Sequence, residues 1–163
     1  MTTADDVRED IEAADNESDY TAVNTLWLAL LKLANGEAGS TEEARMKALV
    51  LRIPAEEVKA IVNFPAVDTL LDLEPPLESV SVNKHERSDS KRAREEIAAI
   101  KAHRIDNPTL ALIKLGSLLK RIRNKREHAF KRRQDERDAN ILGAARIILD
   151  ALCRSAFAHA TGG

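Results

Sequence analysis

From Asp19 onward, apolar residues recur with the period of an α-helix. Val23, Leu26, Trp27, Leu30 and Leu31 fall at i, i+3, i+4, i+7 and i+8, one continuous stripe that stops at Asn35-Gly36. A core helix with a glycine stop is predicted there. Ser40 followed three residues on by Glu43 has the form of a capping box, and Met46, Leu49, Val50 and Ile53 carry a second helix to Pro54. Val58, Ile61 and Val62 predict a third helix opened by Pro54 and broken at Asn63-Phe64-Pro65. Leu70, Leu71 and Leu73 predict a further short piece closed by Pro75-Pro76.

Leu77 to Val82 alternates like a strand but has no second strand to pair with, so it is expected as an extended connector. Lys84 to Arg92 reads as a loop or an exposed helix start, and Ala93, Ile97 and Ile100 support a moderately amphipathic helix after it. Asn107-Pro108 pairs a capping side chain with a first-turn proline. Leu112, Leu115, Leu119 and Ile122 then run down one side, with Gly116 expected to admit a close neighbour. The most regular stripe is the last: Ile141, Leu142, Ala145, Ile148, Leu149, Leu152 and Ala156, on a helix starting near Asp135 or Asp138. With no convincing strand pair and no internal repeat, the expected fold class is all-α, an antiparallel helical bundle.

Residues 1–18 lack such a stripe. Only Val7 and Ile11 hint at a helix, and an acidic N-terminal arm, frayed or disordered, is expected. Residues 19–158 are expected to form a single helical domain, with a loose tail over 159–163. The chain of 163 residues is long enough to bury a core without staples, and its single cysteine, Cys153, excludes an internal disulfide framework. No apolar run approaches the roughly 20 residues of a membrane helix. The start lacks a signal-peptide core, so a cytoplasmic protein without membrane partners is expected.

Charge changes the picture more than composition does. The formal net charge is only −2, yet residues 1–20 hold eight Asp/Glu against Arg8, and residues 120–133 hold eight Lys/Arg against Glu127. An average near zero thus conceals two local fields of opposite sign. The acidic segment is a solubilising tail or, more sharply, a shield over the basic one.

Within KRIRNKREHAFKRR, the three residues Arg123, Asn124 and His128 combine phosphate-capable and proton-transferring groups. Arg123 continues the Leu112–Leu119 stripe, whereas Lys120 and Arg121 are expected toward solvent. An arginine at the end of an apolar stripe lines a groove or interface, where its planar fork can hold a phosphate. Histidine titrates near neutrality and serves as general acid or base. His128 lies five residues on, about 140° round an ideal helix, so one straight helix does not bring the pair together. Either the helix breaks near Asn124 or the second group comes from another chain. Lys120, Lys125, Arg126, Lys131, Arg132 and Arg133 would draw in a polyanion. RNA carries its own nucleophile, the 2′-hydroxyl, so no metal or cofactor is called for. Bland readings stand beside these: Arg123 as a last-turn arginine favoured by the helix dipole, the basic run as a charged connector, and Trp27 and Cys153 as core residues. His85, His103 and His159 have no partner at useful spacing.

Arg123-Asn124-x-x-x-His128, between a long helix and a final amphipathic one, resembles the R-x(4-6)-H signature of HEPN domains, whose first variable residue is often Asn. Leu26-Trp27-Leu28-Ala29, Lys131 and the segment ERDANILGAARIILDALC are similar to the corresponding parts of that family. The resemblance spans about residues 20 to 155, the middle matched by helical character alone. It implies a dimeric helical bundle that brings two motifs to a shared cleft, with RNA as substrate. Many members are metal-independent endoribonucleases of toxin–antitoxin, phage-defence or RNA-processing systems, so a homodimer with an antitoxin or other operon partner is implied. Carried over, Arg123 and His128 are the catalytic pair, Asn124 orients them, and Lys131 contacts phosphate. Arg126 and Glu127 stand where members often have apolar residues, Ala129-Phe130 replaces the Gly-Gly of one branch, and Phe130 replaces a tyrosine of another. Two other readings accompany this one: a non-catalytic module binding RNA, a nucleotide or a protein, and a structural helical dimerisation protein.

Overall fold

The computed structural model describes the backbone of residues 3–72, 84–131 and 136–160. The side chains of 84–90, 125–131 and 136–138 lie outside the described residues. Among these residues the chain forms eight helices and no strand: α1 Thr3–Ala14, α2 Asp19–Ala34, α3 Glu42–Leu51, α4 Ala55–Val62, α5 Pro65–Leu71, α6 Lys84–His103, α7 Pro108–Lys131 and α8 Glu136–Ala160. The all-α class follows directly, and no described helix is long and apolar enough to cross a membrane. The connector expected over Leu77–Val82 lies outside the described residues.

Local chemistry explains the helix starts. Ser18 caps α2 by accepting from the Thr21 amide, and Asn107 caps α7 by accepting from the Leu110 amide at 3.3 Å. The capping box expected at Ser40 is shifted by one residue, because it is the Thr41 hydroxyl that accepts from Ala44 N at 3.1 Å. Pro54 is the residue before α4 and not its first turn, whereas Pro65 occupies the first turn of α5. The expected loop or exposed start over Lys84–Arg92 is already helix α6.

At the centre, α2 packs against α8, with α7, α1 and α3 around α2. Of its stripe, Val23, Leu26, Trp27 and Leu30 are buried and Leu31 is partly buried, and Leu112, Leu115 and Leu119 of α7 and Ile148, Leu149 and Leu152 of α8 are buried too. Each such side chain contributes about 1.5–3 kcal/mol of transfer free energy. The central pair departs from an antiparallel arrangement. Arg146 of α8 meets Asp19 of α2, and Cys153 of α8 donates its thiol to the Leu26 carbonyl at 3.1 Å. Both contacts span 127 positions, so the register advances in step and the two helices run parallel. Cys153 is fully buried, and desolvation pushes its thiol well above the usual range, so it is an inert core residue.

The N-terminal segment corrects the expectation of a frayed or disordered arm. Residues 3–14 are a helix whose Val7, Ile11 and Ala14 are buried against the bundle. Of its carboxylates, Asp10 pairs with Lys32 of α2 at 2.7 Å, and Asp15, just beyond the helix, pairs with Arg154 of α8, while Glu9 and Glu12 are exposed. Arg146 extends Nη2 to the Ala14 carbonyl at 2.7 Å and Nη1 to Asp19 at 2.9 Å, fastening the α1–α2 turn to α8. Asp10 and Asp15 thus face cations of α2 and α8, while the basic side chains from 125 onward, over which the shield was considered, lie outside the described residues. Of the expected loose tail, His159 and Ala160 belong to α8 and 161–163 lie outside the described residues, and His159 does have a partner. Its Nε2 lies 2.6 Å from Glu57 Oε2, and Ser155 donates to the other oxygen of the same carboxylate.

Candidate functional site

Helix α7 carries the basic segment as far as Lys131 without a break. The kink considered near Asn124 is therefore absent from the backbone. On a continuous helix, positions 123 and 128 are separated by about 140° of rotation and about 7.5 Å of rise. The side chains of Lys125, Arg126, His128 and Lys131 lie outside the described residues, as do Arg132 and Arg133 altogether.

Arg123 is the best-anchored member of the motif. It is half-buried, and its Nε donates to Asn24 Oδ1 on α2 at 2.9 Å. Its Nη1 donates to Asn124 Oδ1 at 3.1 Å. Both acceptors are neutral amide oxygens, and together the two bonds fix the plane of the guanidinium. Asn24 is a functional candidate the sequence reading missed. Its signal was an amide side chain between the stripe residues Val23 and Leu26, with no indication of which distant group it would meet.

Two cations expected toward solvent are paired across the fold. Lys120 Nζ lies 3.1 Å from Glu42 Oε1 on α3, and Arg121 Nε donates to Glu96 Oε1 on α6 at 2.7 Å. The Arg121 and Glu96 side chains are only 21% and 11% exposed, so this is a largely buried bridge and not a solvated face. Burial pushes the Glu96 carboxyl above its ordinary value, opposed by the Arg121 hydrogen bond and by the nearby charges of Arg121, Lys114 and Arg92. Lys120, proposed from sequence as a phosphate contact, thus already has a carboxylate against it, and an RNA phosphate must compete with Glu42.

These side chains edge a cleft of about 340 Å³ between α2, α3, α6 and α7, with α8 contributing Leu152. Its apolar lining is Trp27, Leu30, Met46, Val50, Ile113 and Leu152. Its polar lining includes Lys47, Arg92, Lys114, Lys120 and Arg121 against Glu42, Glu43 and Glu96, with Asn124 also lining it. Trp27 is therefore both the core anchor expected and part of the cleft wall, though it is only 2% exposed. Gly116 lines the same cleft, and a Cβ built there meets nothing within 4 Å. The close neighbour expected at this glycine is not there; open space is.

The arrangement brings together Lys120, Arg121, Arg123 and Asn124 on one stretch of α7, with Asn24, Glu42 and Glu96 supplied by three other helices. Comparison with protein-family models, with curated proteins and with solved structures finds no match.

Proposed function

We propose that this chain is a HEPN-like RNA-acting protein that works as a homodimer and cleaves RNA without a metal. The observation that carries the reading is the clamp on Arg123. A guanidinium held in plane by Asn24 and Asn124, at the end of a buried stripe and inside an R-N-x-x-x-H motif, is built to meet a phosphate.

The unbroken α7 supports the dimer in particular. With about 140° between positions 123 and 128, one helix presents the arginine and the histidine in different directions. A second protomer related by a two-fold axis supplies the missing member at each of two equivalent sites. There the RNA 2′-hydroxyl attacks the adjacent phosphorus as His128 draws off its proton. The 2′-oxygen–phosphorus bond forms, the bond to the 5′-oxygen breaks, and the leaving oxygen takes up a proton. Arg123 balances the negative charge that builds on the phosphoryl oxygens, and Asn124 holds Arg123 in place.

The experiment is incubation of structured RNA in EDTA with wild type, Arg123→Ala and His128→Ala. Cleavage abolished by both substitutions supports the proposal. Binding without cleavage by any of the three proteins replaces it with a binding module. Neither binding nor cleavage, with intact dimers, leaves a structural dimerisation protein.

A further inference from the structure

We propose that the cleft between α2, α3, α6 and α7 is a binding site for a small amphipathic anion, an aliphatic chain ending in a single carboxylate or phosphate. The inference is independent of the ribonuclease reading.

Helix interiors disfavour glycine relative to alanine, because glycine loses more backbone freedom on folding. A mid-helix glycine is usually repaid by a neighbour that approaches too closely for a side chain. Gly116 has no such neighbour, since a Cβ there finds open space to 4 Å. Close packing is the norm in protein interiors, and an unfilled cleft beside a buried glycine costs stability on both counts. Alanine or leucine at this position would remove both costs, so the missing side chain keeps a space open.

The chemistry of the lining specifies the occupant. Trp27, Leu30, Val50 and Leu152 form a buried apolar surface, and half-buried Met46 and Ile113 extend it. Such a surface takes a hydrocarbon body, and the volume of about 340 Å³ is at the small end of the range for ligand sites. Lys47, Arg92, Lys114, Lys120 and Arg121 outnumber the carboxylates of Glu42, Glu43 and Glu96. Two of those cations are engaged by Glu42 and Glu96, and the excess positive charge favours one anionic head and not two. The cations come from α3, α6 and α7, so three separate helices contribute positive charge to the one cleft.

Trp27 is the single tryptophan of the chain, so occupancy is read directly from its emission. The test is titration of the full chain with octanoate, octyl phosphate, octanol and inorganic phosphate. Both octyl anions are expected to change the emission saturably, and whichever binds more tightly identifies the head group. Octanol and inorganic phosphate are each expected to bind roughly tenfold more weakly or worse. Gly116→Leu, whose Cβ meets nothing within 4 Å, projects a side chain into the cleft and is expected to abolish the response while retaining the helical circular dichroism. Lys114→Gln with Arg92→Gln is expected to weaken the anions and leave octanol unchanged. Octanol binding as tightly as octanoate, or anion binding that survives Gly116→Leu, overturns the proposal.

Discussion

Arg123 and Asn24 stand 99 positions apart in the chain, and the guanidinium of one donates through Nε to the side-chain oxygen of the other at 2.9 Å. This bond ties the motif helix α7 to the central helix α2. A hydrogen bond to a charged group is worth about 1.5–3 kcal/mol, and it acts here on orientation. In the proposed ribonuclease, Asn24→Ala is expected to lower kcat by roughly tenfold to a hundredfold, since small displacements of a charge-stabilising group are costly. KM should move little. Asn24→Gln, which keeps the amide but lengthens the reach, should recover only part of the rate. Wild-type kinetics in Asn24→Ala would show that the bond is structural only.

The continuous α7 makes a second, sharper prediction about subunits. Neither Arg123→Ala nor His128→Ala should cleave RNA alone. Unfolded together and refolded, they form mixed dimers in which one of the two sites holds an intact Arg123 from one protomer and an intact His128 from the other. Random assortment should restore about a quarter of wild-type activity, because about half the dimers are mixed and each carries one good site. No recovery from a mixture shown to contain heterodimers would place both residues of a site on one chain.

Helix α1 should be an integral part of the bundle. Ile11 is 4% exposed, and Ile11→Ala is expected to cost about 2–5 kcal/mol, measured by urea denaturation. Glu9→Ala, on the exposed side of the same helix, should change stability by less than about 0.5 kcal/mol. Equal small effects for both would mean that the α1 interface contributes little.

How much of this was legible beforehand depended on how far apart the interacting residues lie. The stripes of α2, α7 and α8 were readable because each is long, leucine- and isoleucine-rich, and complete within its own segment. Helix α1 was not, because Val7 and Ile11 are a short stripe amid carboxylates, and the groups that hold the segment in place, Lys32 on Asp10, Arg154 on Asp15 and Arg146 on the Ala14 carbonyl, lie far along the chain. The partnership of His159 with Glu57 spans 102 positions and leaves no local trace. Arg121 looked solvent-facing from its place on the helical wheel, since nothing in the sequence announces that α6 covers that side. Gly116 was noticed, but its meaning was inverted. A glycine marks either a close contact or a space, and only the neighbouring helices decide which.

Glu96 gives a pH-dependent test. Burial pushes its carboxyl above the ordinary 4.5, more than the Arg121 hydrogen bond lowers it. The folded chain therefore holds this proton more tightly than the unfolded chain does. At neutral pH an ionised Glu96 subtracts from stability, and the deficit is recovered as pH falls through the raised folded value, fully so below 4.5. Glu96→Gln keeps an oxygen for Arg121 but cannot titrate. The stability of wild type relative to Glu96→Gln should accordingly rise on acidification from about pH 7.5 toward pH 4.5, read from urea midpoints. A difference that stays flat, or that falls, would contradict the burial-dominated shift.

The contacts of Arg146 also set an order of events during synthesis. One guanidinium from the last helix closes on the Ala14 carbonyl and on Asp19, across 132 and 127 positions. Until α8 has left the ribosome, α1 and α2 lack that fastening, and Leu26 and Leu30 lack part of their cover. The nascent chain must therefore carry Leu26 and Leu30 of α2 partly uncovered until α8, 127 positions further on at their contacts, has been made. Chains stalled before α8 are the form of this protein most prone to capture by chaperones or to aggregation.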